Sequence, residues 1–230
     1  MFDGRWRTSF ERGLRPVGTN IRRTGLTADH LTASGLVLAV GASIAIANGA
    51  LRAGLLLLVL CAVPDMLDGA VAKASGTASP RGAFFDSVAD RVTDALLFGG
   101  AAWFLASRDG GHMAVLPLAV LAASMLISYE RAKAESLGFE ARGGLMERAE
   151  RIILLALGLL FDSVLAVVLA VMLVLTLVTA VQRFVKVWRQ ASVPRPAPEV
   201  PSRWRRRTAR TTTRAWRRRS SPELRARWRR

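Results

Sequence analysis

The amino-acid sequence predicts an all-α integral membrane protein with six transmembrane helices, preceded by a short amphipathic juxtamembrane helix. Of the 230 residues, 51% are hydrophobic. The mean hydropathy is +0.28, which is too apolar for an ordinary soluble domain of this length. Most of the apolar segments approach the roughly 20 residues that a helix needs to cross a bilayer. Because six is an even number, both chain termini are predicted on the same side of the membrane.

The six predicted spans are joined by tight connections such as Asn48-Gly49. They cover residues 29–48, 51–72, 84–106, 112–134, 146–161 and 164–188. Lys and Arg concentrate before the first span and in the connections 73–91 and 131–151, whereas the opposite connections contain only Arg52 and Arg108. Basic flanks usually stay in the cytoplasm. We therefore predict a multi-pass protein of the cell (plasma) membrane, with both termini and the 73–91 connection on the cytoplasmic side.

Composition divides the chain into three predicted parts. Residues 1–22 form an amphipathic segment of alternating aromatic and Arg residues, without the long apolar core of a secretory signal. Residues 23–191 contain the six spans, and residues 192–230 form a basic cytoplasmic tail that is expected to be disordered. The single cysteine, Cys61, excludes an internal disulfide.

The tail carries most of the charge of the protein. The chain has a net charge of +16, and residues 196–230 contain 13 Arg against 2 Glu, a net of +11. Such a segment is attracted to anionic lipid headgroups. Nucleic acid is the other common partner of a basic tail, but a membrane-embedded core makes lipid the nearer anion. We predict membrane lipids as the partner and no nucleic acid.

Between the second and third spans, the sequence matches the pattern D-x2-D-G-x2-A-K-x8-G-x3-D-x3-D. Its four carboxylates are Asp65, Asp68, Asp86 and Asp90. The first two are three residues apart and the last two are four apart, so each pair lies on one face of a helix. Charged groups at the ends of membrane helices are costly and indicate a functional site.

Four converging carboxylates repel one another unless cations neutralise them. An all-oxygen ligand set favours hard divalent ions, and we predict two Mg²⁺ ions, with Mn²⁺ as the alternative. Such a centre is suited to phosphoryl transfer. The last carboxylate, Asp90, is the best candidate to accept the proton of an attacking hydroxyl. Asp94 continues the same face and is predicted to order a metal ligand or a neighbouring helix.

This pattern resembles the signature of the CDP-alcohol phosphatidyltransferase family, which has Arg where this chain has Lys73. The resemblance covers roughly residues 20–190. It implies six transmembrane helices, a homodimer, and transfer of a phosphatidyl group from CDP-diacylglycerol to an alcohol with release of CMP. It also implies that the four aspartates bind metal and that Asp90 is the proton acceptor. The residues implied to bind CDP-diacylglycerol are Asp29, His30, Leu31, Thr32, Gly69, Lys73 and Ser79.

Two departures from the family pattern affect the nucleotide site. Lys73 keeps the positive charge but lacks the bidentate fork of a guanidinium. The segment Thr27-Ala-Asp-His-Leu-Thr32 resembles a T-P-N-x-x-T stretch, with Ala28 and Asp29 in place of its second and third residues.

A second region narrows the identity of the acceptor alcohol. The sequence S-Y-E-R-A-K-A-E-S-L-G from Ser128, followed by E-R-A-E-R from Glu147, resembles the bacterial phosphatidylinositol-phosphate synthases. Their acceptor is inositol 3-phosphate, whose phosphate requires a cationic pocket. The residues predicted to bind it are Ser128, Arg131, Lys133, Arg148, Arg151 and Arg189, with Arg183 as the alternative to Arg189.

Other functions remain open from the sequence. Glycerol 3-phosphate also carries a phosphate, so a phosphatidylglycerol-phosphate synthase is the nearest alternative. A metal-ion transporter would need its acids at mid-membrane depth, whereas these lie at the ends of spans. A non-catalytic basic membrane scaffold is disfavoured because every carboxylate of the motif is intact.

Overall fold

The computed structural model describes residues 28–62, 79–108 and 111–192. Apart from turns and one longer loop, these residues are helical, and no strand occurs among them. The all-α fold class that the sequence predicted is therefore confirmed for the described residues. The segment 1–22, the tail after Ser192 and five motif residues lie outside the described residues; the motif residues are Asp65, Asp68, Gly69, Ala72 and Lys73.

The first two helices form a tight hairpin. Helix α1 spans Ala28–Ala47, and α2 is described over Leu51–Ala62. Gly49 sits in the turn at φ 78°, which a glycine adopts at little cost. The Asn48 side chain donates to the Ile44 carbonyl at 2.8 Å and satisfies a carbonyl at the end of α1. The turn therefore lies where the sequence predicted it.

Helix α3 spans Pro80–Arg108 and begins four residues before the predicted start at residue 84. Ser79 caps this helix, because its hydroxyl accepts the Gly82 amide at 3.1 Å. Proline is favoured at the first helical position, where its missing amide is not needed. Gly82 consequently belongs to the first turn of α3 and not to the connection before it. The prediction that began the helix at 84 overlooked this Ser-Pro signal.

Helix α3 lies closely against α1. Ser43 donates to the Leu96 carbonyl at 2.7 Å. A Cβ atom on Gly100 would lie 2.6 Å from the Ser43 carbonyl oxygen, so only glycine allows this approach. This contact joins the second halves of the two helices, and Asp29 and Arg81 approach each other at their starts.

The remaining helices complete the bundle. Helix α4 spans Val115–Ser136, α5 spans Arg148–Leu160, and α6 spans Leu165–Ala191. Short 3₁₀ turns precede α4 and α6. The buried core joins α3 to the later helices through large apolar side chains, including Leu97, Phe98, Val120, Leu155, Leu169 and Met172.

Among the described residues, three helices are long and apolar enough to cross a membrane. They are Asp29–Ala47, His112–Ser136 and Asp162–Ala191. Helix α2 is apolar but shorter over its described length. Helix α3 carries the acidic motif in its first half, and α5 has only 13 residues. The description of α2 ends at Ala62, and the charged side chains of α3 make that helix less apolar.

One face of α6 fastens the loop between α4 and α5. Four polar side chains at helical spacing, Thr179, Arg183, Lys186 and Gln190, hydrogen-bond to the loop backbone. Gly144 has φ 146° and packs so closely on Thr179 that a Cβ atom would overlap that side chain. These contacts fix the loop, and the loop in turn fixes the position of α5 in the bundle.

Candidate active site

The second half of the acidic motif forms one face of α3. Asp86, Asp90 and Asp94 are each four residues apart, so they lie one above another along the helix. Asp86 and Asp90 are partly buried, whereas Asp94 is only 4% exposed. The sequence predicted this shared face. The burial of Asp94 arises from α5, which packs against it.

Helix α5 begins with a capping box that fixes its first turn. The Glu147 amide donates to the Glu150 carboxylate at 3.1 Å, and the Glu147 carboxylate in turn accepts an amide of the first turn. Arg148 and Arg151 follow at once and project from that turn. This local structure explains why two arginines of the predicted acceptor site lie together.

The α5 arginines meet the α3 carboxylates in a chain of four charges. Arg148 Nη1 lies 2.8 Å from Asp90 Oδ1, and Arg148 Nε lies 3.7 Å from Asp94 Oδ1. Arg151 Nη2 donates to Asp94 Oδ2 at 3.0 Å. The order is therefore Asp90, Arg148, Asp94, Arg151. The predicted proton acceptor and the predicted acceptor-binding arginines occupy one continuous network.

A small cavity of about 20 Å³ adjoins this network, large enough for roughly one water molecule. It lies between α1, α2, α3 and the start of α5. Its lining consists of Thr32, Gly35, Leu36, Cys61, Ala89, Asp90, Thr93 and Arg148. Thr32 of the predicted nucleotide segment therefore reaches the same cavity as Asp90.

The predicted nucleotide segment at the start of α1 lies beside the start of α3. Asp29 Oδ2 lies 3.9 Å from Arg81 Nη2, and a Cβ atom on Gly82 would lie 3.9 Å from Asp29 Oδ1. Leu31 and Thr32 are partly buried and His30 is exposed. Two of the sequence elements predicted to bind the donor thus come together, although they are about 50 residues apart in the chain.

Ser79 serves as the helix cap described above. A hydroxyl has one donor and two acceptor positions. Accepting the Gly82 amide uses one acceptor position and orients the oxygen at the N-terminus of α3. Helix N-termini favour anions, so capping is compatible with the predicted phosphate contact.

Only half of the predicted metal ligands lie among the described residues. Within residues 28–62, 79–108 and 111–192, no group of three or more metal-binding side chains occurs. Asp86 and Asp90 supply two hard carboxylate ligands on adjacent turns, which fit a divalent cation in chemistry and spacing. Asp65 and Asp68, the other two predicted ligands, lie outside the described residues.

The α4 residues of the predicted acceptor site occupy the end of that helix. Ser128 donates to the Ser124 carbonyl at 3.0 Å. Arg131 Nε donates to Glu135 at 3.1 Å on the exposed surface, and Lys133 is exposed. These three side chains do not contact the Asp90–Arg151 network through any hydrogen bond described for them.

The structure separates the two α6 arginines. Arg183 is 4% exposed and donates to the Ile127 carbonyl, the Gly143 carbonyl and the Glu147 carboxylate. Arg189 is exposed in an outer groove beside Glu140, six residues or about 9 Å further along the helix. Arg183 therefore joins the ends of α4 and α5, whereas Arg189 does not. The sequence signal for this difference was that Arg183 continues the buried face of Thr176 and Thr179.

Residues 26–188 match the sequence profile of the CDP-alcohol phosphatidyltransferases. The chain belongs to this family. The match includes the α1 segment, the complete acidic motif and the acceptor region. The family and the enzyme class predicted from the sequence are thereby confirmed.

Individual relatives within this family are named as synthases of inositol phosphate lipids. The chain is 36% identical over 185 residues to a phosphatidylinositol phosphate synthase of Mycobacteroides abscessus, covering 77% of this chain and 84% of the relative. It is 34% identical over 191 residues to an archaetidylinositol phosphate synthase of Methanothermobacter thermautotrophicus, covering 80% and 93%.

A solved relative shares the fold. The crystal structure of Mycobacterium tuberculosis phosphatidylinositol phosphate synthase with CDP-DAG bound superposes with a TM-score of 0.73 at 32% identity, covering 81% of this chain and 99% of that one. The same enzyme in complex with manganese and citrate gives a TM-score of 0.73 at 31% identity, covering 80% and 93%.

Proposed function

We propose that the protein is a phosphatidylinositol phosphate synthase, which transfers the phosphatidyl group of CDP-diacylglycerol to inositol 3-phosphate and releases CMP. The observation that carries this proposal is the contact of Arg148 and Arg151 with Asp90 and Asp94. It joins the predicted proton acceptor to cations suited to a phosphorylated alcohol. One relative is a phosphatidylinositol phosphate synthase and another an archaetidylinositol phosphate synthase. The two names differ in the lipid but agree on inositol phosphate.

The donor site is proposed at the starts of α1 and α3. Asp29, His30, Leu31 and Thr32 would bind CDP-diacylglycerol together with Gly69, Lys73 and Ser79. The proximity of Asp29 to Arg81 and Gly82 supports a common site for these segments. The M. tuberculosis relative was crystallised with CDP-DAG bound, which supports the same donor for this chain.

The proposed metal centre consists of Asp65, Asp68, Asp86 and Asp90. Two Mg²⁺ or Mn²⁺ ions held there would neutralise the bridging phosphates and stabilise the charge on the departing CMP. Manganese in the M. tuberculosis relative supports a divalent cation. The carboxylates themselves provide the orientation, because their helix fixes the spacing between them.

In the proposed reaction, Asp90 accepts the proton of the inositol hydroxyl. The hydroxyl oxygen forms a bond to the phosphatidyl phosphorus while the bond from that phosphorus to CMP breaks. Positioning and neutralisation of charge carry most of such catalysis. Arg148 contacts Asp90 and would bind the acceptor phosphate, so that the acceptor lies beside the carboxylate that receives its proton.

The acceptor pocket is proposed between the ends of α4, α5 and α6. Its candidate residues are Ser128, Arg131, Lys133, Arg148, Arg151 and one arginine of α6. The buried contacts of Arg183 with the ends of α4 and α5 support Arg183 as that arginine in preference to Arg189. Guanidinium groups bind phosphate through two parallel hydrogen bonds, which suits this choice.

The membrane arrangement is part of the same proposal. We place six spans in the cell membrane, preceded by the amphipathic segment 1–22, with both termini and the active site in the cytoplasm. The proposed assembly is a homodimer. The basic flanks of the sequence and the three described membrane-length helices support the placement in the membrane. The homodimer is what the family resemblance implies.

Purified full-length protein in detergent provides the test. CMP release is measured with CDP-diacylglycerol and, separately, inositol 3-phosphate, glycerol 3-phosphate, free inositol or serine. Activity with inositol 3-phosphate that Asp90→Asn removes supports the proposal. Preference for glycerol 3-phosphate would assign the protein as a phosphatidylglycerol-phosphate synthase, and preference for an unphosphorylated alcohol would refute the phosphate pocket.

A further inference from the structure

The carboxylate of Asp90 has a permanent cation against it. Arg148 Nη1 lies 2.8 Å from Asp90 Oδ1, where the side chains are 25% and 18% exposed, respectively. A guanidinium keeps its charge at all ordinary pH values. A divalent ion bound by the same carboxylate would be repelled by this guanidinium, and the repulsion is strong where water is partly excluded. Arg148 and a metal ion are therefore competitors for Asp90.

Asp94 provides a second carboxylate for the same arginine. Its Oδ1 atom lies 3.7 Å from Arg148 Nε and is buried without a hydrogen bond from any described residue. Its other oxygen accepts from Arg151. A shift of about 0.7 Å would bring Nε to roughly 3.0 Å from Oδ1, the usual N–H···O distance. A buried acceptor without a hydrogen bond is costly, so this shift is favoured when Arg148 leaves Asp90.

We propose that Arg148 is a counterion shared between Asp90 and Asp94, and that this sharing sets the affinity of Asp90 for its divalent cation. The inference rests on the metal role proposed above for Asp90. Arg148 on Asp90 opposes the metal, and Asp94 favours the metal by holding Arg148 away from Asp90. Asp94 is thus a positioning residue that acts through Arg148.

The two residues should consequently have opposite effects on metal binding. Mn²⁺ binding to the purified, chelator-treated full-length protein is measured by titration calorimetry and by the electron paramagnetic resonance of free Mn²⁺, without either substrate. We expect Arg148→Gln to tighten the Mn²⁺ Kd by about tenfold, because the nearer of the two cations at Asp90 is gone. The other, Arg91, has its Nη1 atom 3.4 Å from Asp90 Oδ2 and is the same in every variant. Asp94→Asn should weaken it by about tenfold. In the double variant the Kd should equal that of Arg148→Gln.

A matched control is an arginine–aspartate pair of α3 that lies far from Asp90. Arg108 contacts Asp162 at 2.6 Å at the far end of the helix, 18 residues or about 27 Å from Asp90. Arg108→Gln removes the same charge and should leave the Kd unchanged. A similar tightening in this variant would show that net charge alone is responsible and would overturn the proposal.

The remaining outcomes separate two kinds of failure. If wild-type protein binds no Mn²⁺, or if Asp90→Asn binds it equally well, the metal assignment itself is wrong. If Asp90→Asn loses binding but Arg148→Gln leaves the Kd unchanged or weakens it, only the shared-counterion proposal is overturned. The shared-counterion proposal is also overturned if Asp94→Asn weakens Mn²⁺ binding equally with and without Arg148. Asp94 would then act on the metal directly through its own charge and not through Arg148.

Discussion

Arg151 Nη2 lies 3.0 Å from Asp94 Oδ2, and the two side chains are only 5% and 6% exposed. This contact joins the acidic helix α3 to the basic start of α5. Two buried groups of opposite charge compensate each other, whereas either one alone would be a buried uncompensated charge. The pair therefore holds together the two helices on which the proposed chemistry depends.

The first prediction concerns the stability of this pair. Arg151→Ala or Asp94→Ala should each destabilise the protein by about 3–5 kcal/mol. Asp94→Ala leaves the buried Arg151 without its carboxylate, and Arg151→Ala leaves Asp94 with only the 3.7 Å contact to Arg148. The measurement is the thermal midpoint at which purified protein in detergent loses its monodisperse elution. The double variant should lose less stability than the sum of the two single variants.

The control for this prediction is the pair of Arg108 and Asp162, whose side chains are 51% and 47% exposed. Exposed pairs contribute about 0–1 kcal/mol, so Arg108→Ala should shift the midpoint only slightly. Equal shifts for Arg108→Ala and Arg151→Ala would contradict the importance that burial gives to the Asp94–Arg151 contact.

The second prediction concerns recognition of the acceptor. Arg151→Lys keeps the charge beside Asp94 but loses the planar fork that binds a phosphate bidentately. A hydrogen bond to a charged group contributes roughly 1.5–3 kcal/mol, so the KM for inositol 3-phosphate should rise by about 10- to 100-fold. The KM for CDP-diacylglycerol should not change. Steady-state kinetics with each substrate varied in turn checks this, and an equal rise in both KM values would refute it.

The third prediction separates the two arginines of α6. Arg183→Lys should raise the KM for inositol 3-phosphate, because Arg183 lies buried between the ends of α4 and α5. Arg189→Lys should have little effect, because Arg189 lies in the outer groove. The two variants make the same chemical change on the same helix, so each is the control for the other. The reverse order of effects would restore Arg189 as the acceptor residue.

The fourth prediction concerns Asp90. Asp90→Asn should lower kcat by at least about 10²–10⁴-fold, the usual contribution of a general base. The affinity for CDP-diacylglycerol should fall less, since the predicted donor contacts of α1 and Ser79 remain. Binding of a labelled nucleotide and single-turnover CMP release measure the two quantities. Equal losses would mean that Asp90 is a metal ligand and not the base.

Much of the fold could be predicted because membrane helices have a simple sequence signal. In Leu165–Ala191, for example, a long and mostly apolar run is followed by basic residues, so the position of the helix follows from composition alone. The spacing of Asp86, Asp90 and Asp94 likewise placed all three on one face. The start of α3 was misplaced because Ser79 was considered only as a ligand contact, although its hydroxyl also caps the helix by accepting the Gly82 amide.

The contacts between distant segments could not be predicted. The pairing of Asp94 with Arg151 joins residues 57 positions apart, and no local pattern specifies that partner. The same applies to the loop 137–147, which α6 fastens through residues of an otherwise apolar helix. Arg183 gave a partial sequence signal of such a contact. An arginine on the buried face of an apolar helix requires acceptors inside the protein.

The most direct test of the account is identification of the product from mixed acceptors. Full-length enzyme is supplied with Mg²⁺, CDP-diacylglycerol and equal concentrations of inositol 3-phosphate, glycerol 3-phosphate and free inositol, and the lipids are analysed by mass spectrometry. We predict that phosphatidylinositol phosphate is the dominant product and that Asp90→Asn forms none. A dominant product of phosphatidylglycerol phosphate or of unphosphorylated phosphatidylinositol would contradict the proposed function.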